Sequence, residues 1–239
     1  MSPIDAVRAL TFDVFGTVVD WRGSLVREGE AFGRARGLAV DWGRFADDWR
    51  GLYQPSMERV RTGAAPWTNL DALHRMSLDR VLAQHGIKGL EEADIDHLNR
   101  AWHRLDPWPD AVAGMTRLRL RYPLATLSNG NVALLVAMAR RAGLPWDAIL
   151  GAEVAQAYKP LPKAYLTTAA LLGLAPEQCM LVAAHVSDLV AARGCGFRTA
   201  FVRRPREYGP RPADVLPQDH GFDVVAEDFL DLADKLGAA

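Results

Sequence analysis

At 239 residues with 49% hydrophobic side chains, the chain is long enough for one α/β domain with a modest insertion and a sizeable core. A net charge of −1, with no Lys/Arg run able to track phosphates, excludes nucleic acid as an expected partner. No apolar run approaches membrane-spanning length and no basic-then-apolar leader is present, so a soluble, cytoplasmic protein with no membrane contact is expected.

Residues 7–12 are apolar except for Arg8 and Thr11 and predict a buried strand that ends at Asp13. An ionised carboxylate at the mouth of a buried strand is costly unless paired. Gly16 permits a tight turn that would aim backbone donors back at Asp13, which makes Asp13 a nucleophile candidate; the other reading is a cap for the following segment. Residues 19–106 carry helical patterns and no strong strand. Val26, Phe32 and Leu38 supply one apolar face, Phe45, Trp49, Leu52 and Tyr53 a second helix, and Leu70, Leu73, Met76, Leu78, Val81 and Leu82 a third, with a break at residues 63–66. Trp21, Trp42, Trp49, Trp67 and Trp102 fall in this insertion and are expected mostly in its core, with one or two facing Asp13.

From Pro107 onward helix and strand signals alternate. Helices are predicted over 111–121, 132–142, 162–172, 188–193 and 229–236, and strands over 123–127, 179–184, 199–202 and 223–226, with 148–157 leading to Lys159. Such alternation implies a doubly wound parallel sheet, whose ligands bind beyond the carboxyl ends of the strands. Residues 204–217, with four prolines, read as a surface loop. Cys179 and Cys195 lack metal-ligand spacing and read as two buried free thiols in a reducing compartment.

Three polar groups follow predicted strands or precede helices where a shared site would lie. Ser128-Asn129-Gly130 offers a hydroxyl, an amide and backbone N–H groups before a helix, an anion site if it is more than a turn. Lys159, one of only four lysines, would keep Asp13 ionised, or else is a surface lysine before a helix. Asp188 follows the strand over 179–184 and is preceded by His185.

Leu10-Thr11-Phe12-Asp13-Val14-Phe15-Gly16-Thr17, then Ser128-Asn129, Lys159 and Asp188 in that order, resemble the haloacid dehalogenase superfamily across residues 7–18 and 107–239. The finer resemblance is to type II 2-haloacid dehalogenases, carried by Phe-Asp-Val-Phe-Gly-Thr, Leu-Ser-Asn-Gly, Tyr-Lys-Pro with Tyr165, and Trp49-Arg50. It implies a HAD-like, Rossmann-type α/β core over 1–18 and 107–239, with an inserted α-helical cap over 19–106. The implied reaction is displacement of halide from a short 2-haloalkanoate by Asp13, followed by hydrolysis of the aspartyl ester to a 2-hydroxy acid.

The resemblance assigns halide binding to Arg50, orientation of nucleophile and substrate carboxylate to Thr17, Ser128 and Asn129, and the holding of Asp13 to Lys159 and Tyr165. Phe15 and Trp67 are expected to line the substrate pocket. Asp188, with His185, would position the water; His185 is also expected beside the halide, its pKa lowered by Arg50, extending the range to fluoroacetate. The chain departs from well-known members at Ala183 and His185, where they have Ser and Asn, and at Ser187, often Trp. Superfamily phosphatases carry a second Asp where this chain has Phe15, and two metal-binding acids where it has Ala184 and Asp188, so neither metal nor cofactor is expected. The alternatives are a phosphatase, a hydrolase opening a strained ring such as azetidine-2-carboxylate, and a non-catalytic binding protein. The expected partners are a haloacid and the halide product, and a homodimer is compatible with the chain.

Overall fold

In the computed structural model, which describes residues 3–213 and 215–238, the strand before Asp13 is β1 (Ala9–Phe12), buried at every position. It lies inside a six-stranded sheet whose order is β5 (Ala148–Gly151), β4 (Leu124–Ser128), β1, β6 (Cys179–Ala183), β7 (Arg198–Val202) and β8 (Val224–Ala226), with all neighbours parallel. From β1 the chain runs outward through β4 and β5, then returns to β6 on the other side of β1. That reversal opens a crevice at the carboxyl end of β1, where doubly wound sheets bind ligands.

Helices cover both faces, which is why the strands are nearly continuous apolar runs. Met180 and Val182 of β6 pack into one core with α6 (Ala111–Arg119), α7 (Val132–Ala142) and α11 (Phe229–Lys235). Leu181 and Ala183 pack into a second with α9 (Pro162–Leu171) and α10 (Val186–Gly194). The stretch expected over 148–157 divides into β5 and a short α8 (Ala152–Ala155).

The helical insertion leaves and re-enters the core through two short strands, β2 (Val19–Asp20) and β3 (Asp106–Pro107), paired antiparallel. Between them lie α1 (Trp21–Arg36), α2 (Trp42–Gly51), α3 (Tyr53–Arg61), α4 (Leu70–Gln84) and α5 (Glu92–Asn99), more helices than the three apolar faces suggested. Asp20 caps α1 by accepting from Gly23 N at 2.8 Å. The predicted second helix is interrupted at Leu52, so Arg50 lies in the last turn of α2 and Tyr53 begins α3. Met76, expected on the apolar face of α4, is instead 54% exposed.

Two other expectations are corrected. Cys179 is a buried free thiol, but Cys195 is only half-buried. Residues 204–217 are not simply a surface loop, because Arg204 and Glu207 are buried. Arg204 forms a two-point ion pair with Asp110 at 2.8 and 2.9 Å and donates through Nε to Thr17 O at 2.8 Å, which ties the start of the segment under the site. Asp214 lies outside the described residues. Among the described residues, no helix is long and apolar enough to cross a membrane.

Candidate active site

β1 delivers Asp13 to the crevice, its backbone N–H held by Val182 O at 3.1 Å. The carboxylate is nearly buried and surrounded by side-chain donors. Lys159 Nζ donates to Oδ1 at 3.0 Å; Thr17 Oγ1 donates to Oδ2 at 2.7 Å, and the Thr17 oxygen accepts from Ala184 N at 2.9 Å. Lys159 also reaches Asp188 Oδ2 at 2.5 Å, and Tyr165 donates to Asp188 Oδ1 at 2.6 Å. Asn129 Oδ1 accepts from Lys159 N at 2.9 Å, so the turn after β4 helps to place the lysine. Burial alone would raise the Asp13 pKa, but the Lys159 ammonium and His185 outweigh it and hold the carboxyl well below its usual range. For Lys159, the flanking Asp13 and Asp188 overcome the burial penalty and keep the ammonium charged. Burial and Asp188 push the Tyr165 phenol upward, so it remains a donor.

His185 stands elsewhere than expected. Its Nδ1 lies 2.9 Å from Asp13 Oδ2, and its Nε2 lies 2.9 and 3.0 Å from the two oxygens of Glu207. The ring is therefore clamped between two carboxylates rather than turned to the halide beside Arg50. Burial lowers its pKa, but Glu207 and Asp13 reverse that and raise it to about 10, opposite to the expected effect of Arg50. Glu207, which also accepts from Trp21 Nε1 at 3.1 Å, carries no sequence signal: it stands between Arg206 and Tyr208 in a proline-rich stretch. Gly16 explains itself through this acid. Its φ is +87°, and a Cβ there would fall 2.1 Å from Glu207 Oε1. Its N–H goes to Val19 O at 3.0 Å and not to Asp13, so the donors around the nucleophile are side chains instead of the turn's backbone.

A cavity of about 890 Å³ opens over Asp13, with Lys159, Asp188, His185 and Asn129 on the core side and Phe15, Arg50, Tyr53 and Arg61 among its other walls. Phe15 packs edge-on against Trp102 and Tyr53 at 5.7 and 6.4 Å between ring centres. The Arg50 guanidinium lies 4.0 Å from the ring centre of Tyr53 and 5.2 Å from that of Trp21, and its Nη1 is buried without a hydrogen-bond partner among the described residues. A buried cationic N–H with no protein partner is rare and has the capacity to donate to an anion. Arg61 Nη1 donates to Lys159 O at 2.9 Å, which latches the helical insertion over the site.

Several expected contacts are absent from the cavity wall. Thr17, Ser128 and Tyr165 are fully buried behind it; Thr17 donates to Asp13, and Tyr165 donates to Asp188 rather than Asp13. Ser128 Oγ accepts from Gly130 N at 3.0 Å within its own turn. The α7 N-terminus is no anion site, because Glu153 Oε2 already accepts from Val132 N at 2.7 Å. Trp67 packs on Tyr158, 4.8 Å between ring centres, and none of the tryptophans forms the wall. Tyr53 and Arg61 were not foreseen; helical spacing marks Tyr53 as core, and nothing local distinguishes Arg61 from other surface arginines.

A family model described as haloacid dehalogenase-like hydrolase matches residues 7–196. The chain is 28% identical to (S)-2-haloacid dehalogenase 4A of Burkholderia cepacia over 228 residues, covering 94% of each protein. Among solved structures it resembles the defluorinating L-2-haloacid dehalogenase Rha0230, with a TM-score of 0.94 and 47% identity over 97% of this chain and 95% of that one. It also resembles the L-2-haloacid dehalogenase PA0810, with a TM-score of 0.93 and 48% identity over 98% and 100%. With a buried, lysine-paired aspartate at the end of the first sheet strand and a family match over most of its length, this chain belongs to the haloacid dehalogenase-like hydrolases.

Proposed function

We propose that this protein is a hydrolytic dehalogenase of short 2-haloalkanoic acids, acting in the cytoplasm on free small molecules. The observation that carries the reading is one cavity lined by both an ionised Asp13 and Arg50, whose buried Nη1 has no hydrogen-bond partner among the described residues. Oδ2 of Asp13 accepts from two side chains and Oδ1 from one, so Oδ1 keeps a free lone pair for attack on C2 of the substrate. The halide departs as a stable anion and needs no general acid, which suits a chain with Phe15 where phosphatases of the superfamily have Asp. Arg50 receives the halide, and Arg61, latched to Lys159 O, helps to close the site against water. Asp188, fixed by Lys159 and Tyr165, takes the proton of the water that hydrolyses the ester.

The residues do not fit a Mg²⁺ centre. The Lys159 ammonium already spans Asp13 and Asp188, the two carboxylates such an ion would need, and Ala184 offers no oxygen ligand from its side chain. The defluorinating relative supports including fluoroacetate in the proposed range. The test is halide release from fluoro-, chloro- and bromoacetate and the two 2-chloropropionate enantiomers, with and without EDTA. Release from the (S)-enantiomer, unaffected by EDTA, is expected; p-nitrophenyl phosphate turnover that depends on Mg²⁺, without halide release, would overturn it. A single turnover in H₂¹⁸O should place the label in the Asp13 carboxylate and not directly in the product.

A further inference from the structure

We propose that His185, held in place by Glu207, is an oxyanion-stabilising donor that serves the hydrolytic half of the reaction, with Glu207 as a positioning residue. The inference rests on the dehalogenase reading above and deepens it. Both donors to Asp13 Oδ2 are side chains, Thr17 Oγ1 at 2.7 Å and His185 Nδ1 at 2.9 Å. Oδ1 is the oxygen with the free lone pair, so alkylation there leaves Oδ2 as the ester carbonyl oxygen, already held by two donors. Glu207 is 2% exposed and meets His185 Nε2 with both of its oxygens while Asp13 Oδ2 meets Nδ1, so each ring nitrogen faces a carboxylate, which only accepts, and both donate. Trp21 Nε1 and the glycine at position 16 fix that carboxylate, the first by donating to it and the second by leaving room for it.

In the hydrolytic step the water oxygen bonds to the Asp13 Cγ while one of its protons passes to Asp188, and the carbonyl π pair moves onto Oδ2. Collapse returns that pair, breaks the Cγ–Oδ1 bond, and releases the alkoxide, which takes the proton from Asp188. The second water proton leaves to solvent, and Asp13 regains its carboxylate with one oxygen from water. Charge develops on Oδ2 only in this step, which is where a preorganised donor accelerates the reaction. The same imidazolium faces the Asp13 carboxylate before alkylation, where it restrains the nucleophile. Glu207 moderates that cost by making the His185–Glu207 pair neutral overall.

The experiment follows the Asp13 ester by intact-protein mass spectrometry during turnover of (S)-2-chloropropionate, in wild type, His185→Asn and Glu207→Gln. Wild type should stand mostly as free enzyme, and both variants should accumulate ester, with its hydrolysis slowed on the order of a hundredfold and alkylation largely retained. The ester burst itself reports a folded, reactive site. Halide release that slows in both variants without ester accumulation would overturn the proposal and return His185 to the leaving group. Independently of any variant, ¹⁵N-histidine NMR of the wild-type protein at pH 8 should show the His185 ring protonated on both nitrogens, and a neutral ring would overturn it. Absence of halide release by wild type on every haloacid would instead sink the dehalogenase reading itself.

Discussion

Replacing Lys159 by Met removes the one cation shared by two buried carboxylates while roughly keeping side-chain volume. Asp13 would retain Thr17 and the His185 ring, but among the described residues Asp188 would keep only the Tyr165 hydroxyl. Breaking a buried ion pair by deleting one partner costs about 3–5 kcal/mol because an uncompensated charge stays buried. Since Asp13 remains paired, the low end, about 3 kcal/mol, is expected at pH 7.5, a large share of the ~5–15 kcal/mol that holds a typical domain together. The loss should shrink as pH falls to 5, because a proton neutralises the uncompensated carboxylate in the variant, whereas in wild type the depressed Asp13 pKa keeps its contribution until the pH drops below the ordinary carboxylate range. Urea unfolding followed by tryptophan fluorescence at the two pH values measures both quantities. A destabilisation below about 1 kcal/mol, or one independent of pH, would mean that Lys159 is not the charge that makes burial of the two acids tolerable.

Arg50→Lys keeps a cation but loses the planar group lying over Tyr53 and the second N–H fork, so chloride release from chloroacetate should fall on the order of a hundredfold; unchanged release would remove Arg50 from the leaving-group site. The raised His185 pKa stabilises the fold fully below the ordinary histidine value and loses that contribution as pH climbs toward about 10. The Tm advantage of wild type over His185→Asn should therefore diminish between pH 6.5 and 10, and a constant difference would contradict the double clamp by Asp13 and Glu207.

Much of the molecule was legible from local pattern. The apolar run before Asp13, the alternation after Pro107 and the interruption of that pattern by a helical stretch each depend on neighbours in sequence, because burial and secondary structure impose periodicity on adjacent residues. The resemblance then supplied an order of chemical groups along the chain, Asp13, Ser128-Asn129, Lys159 and Asp188, and the sheet brings their backbones to one edge. Distances between side chains were decided only by tertiary packing. Tyr165 lies seven residues past Tyr158, yet it turns to Asp188; Ser128 is consumed by its own turn; and Glu153 fills the helix end that looked open to an anion. The placement of the His185 ring was decided by an acid 22 residues away, carried in by Arg204 and its ion pair with Asp110 and admitted by the bare backbone of Gly16. A segment anchored by a long-range ion pair leaves no periodic trace in its own residues, so Glu207 became visible only once the chain was folded.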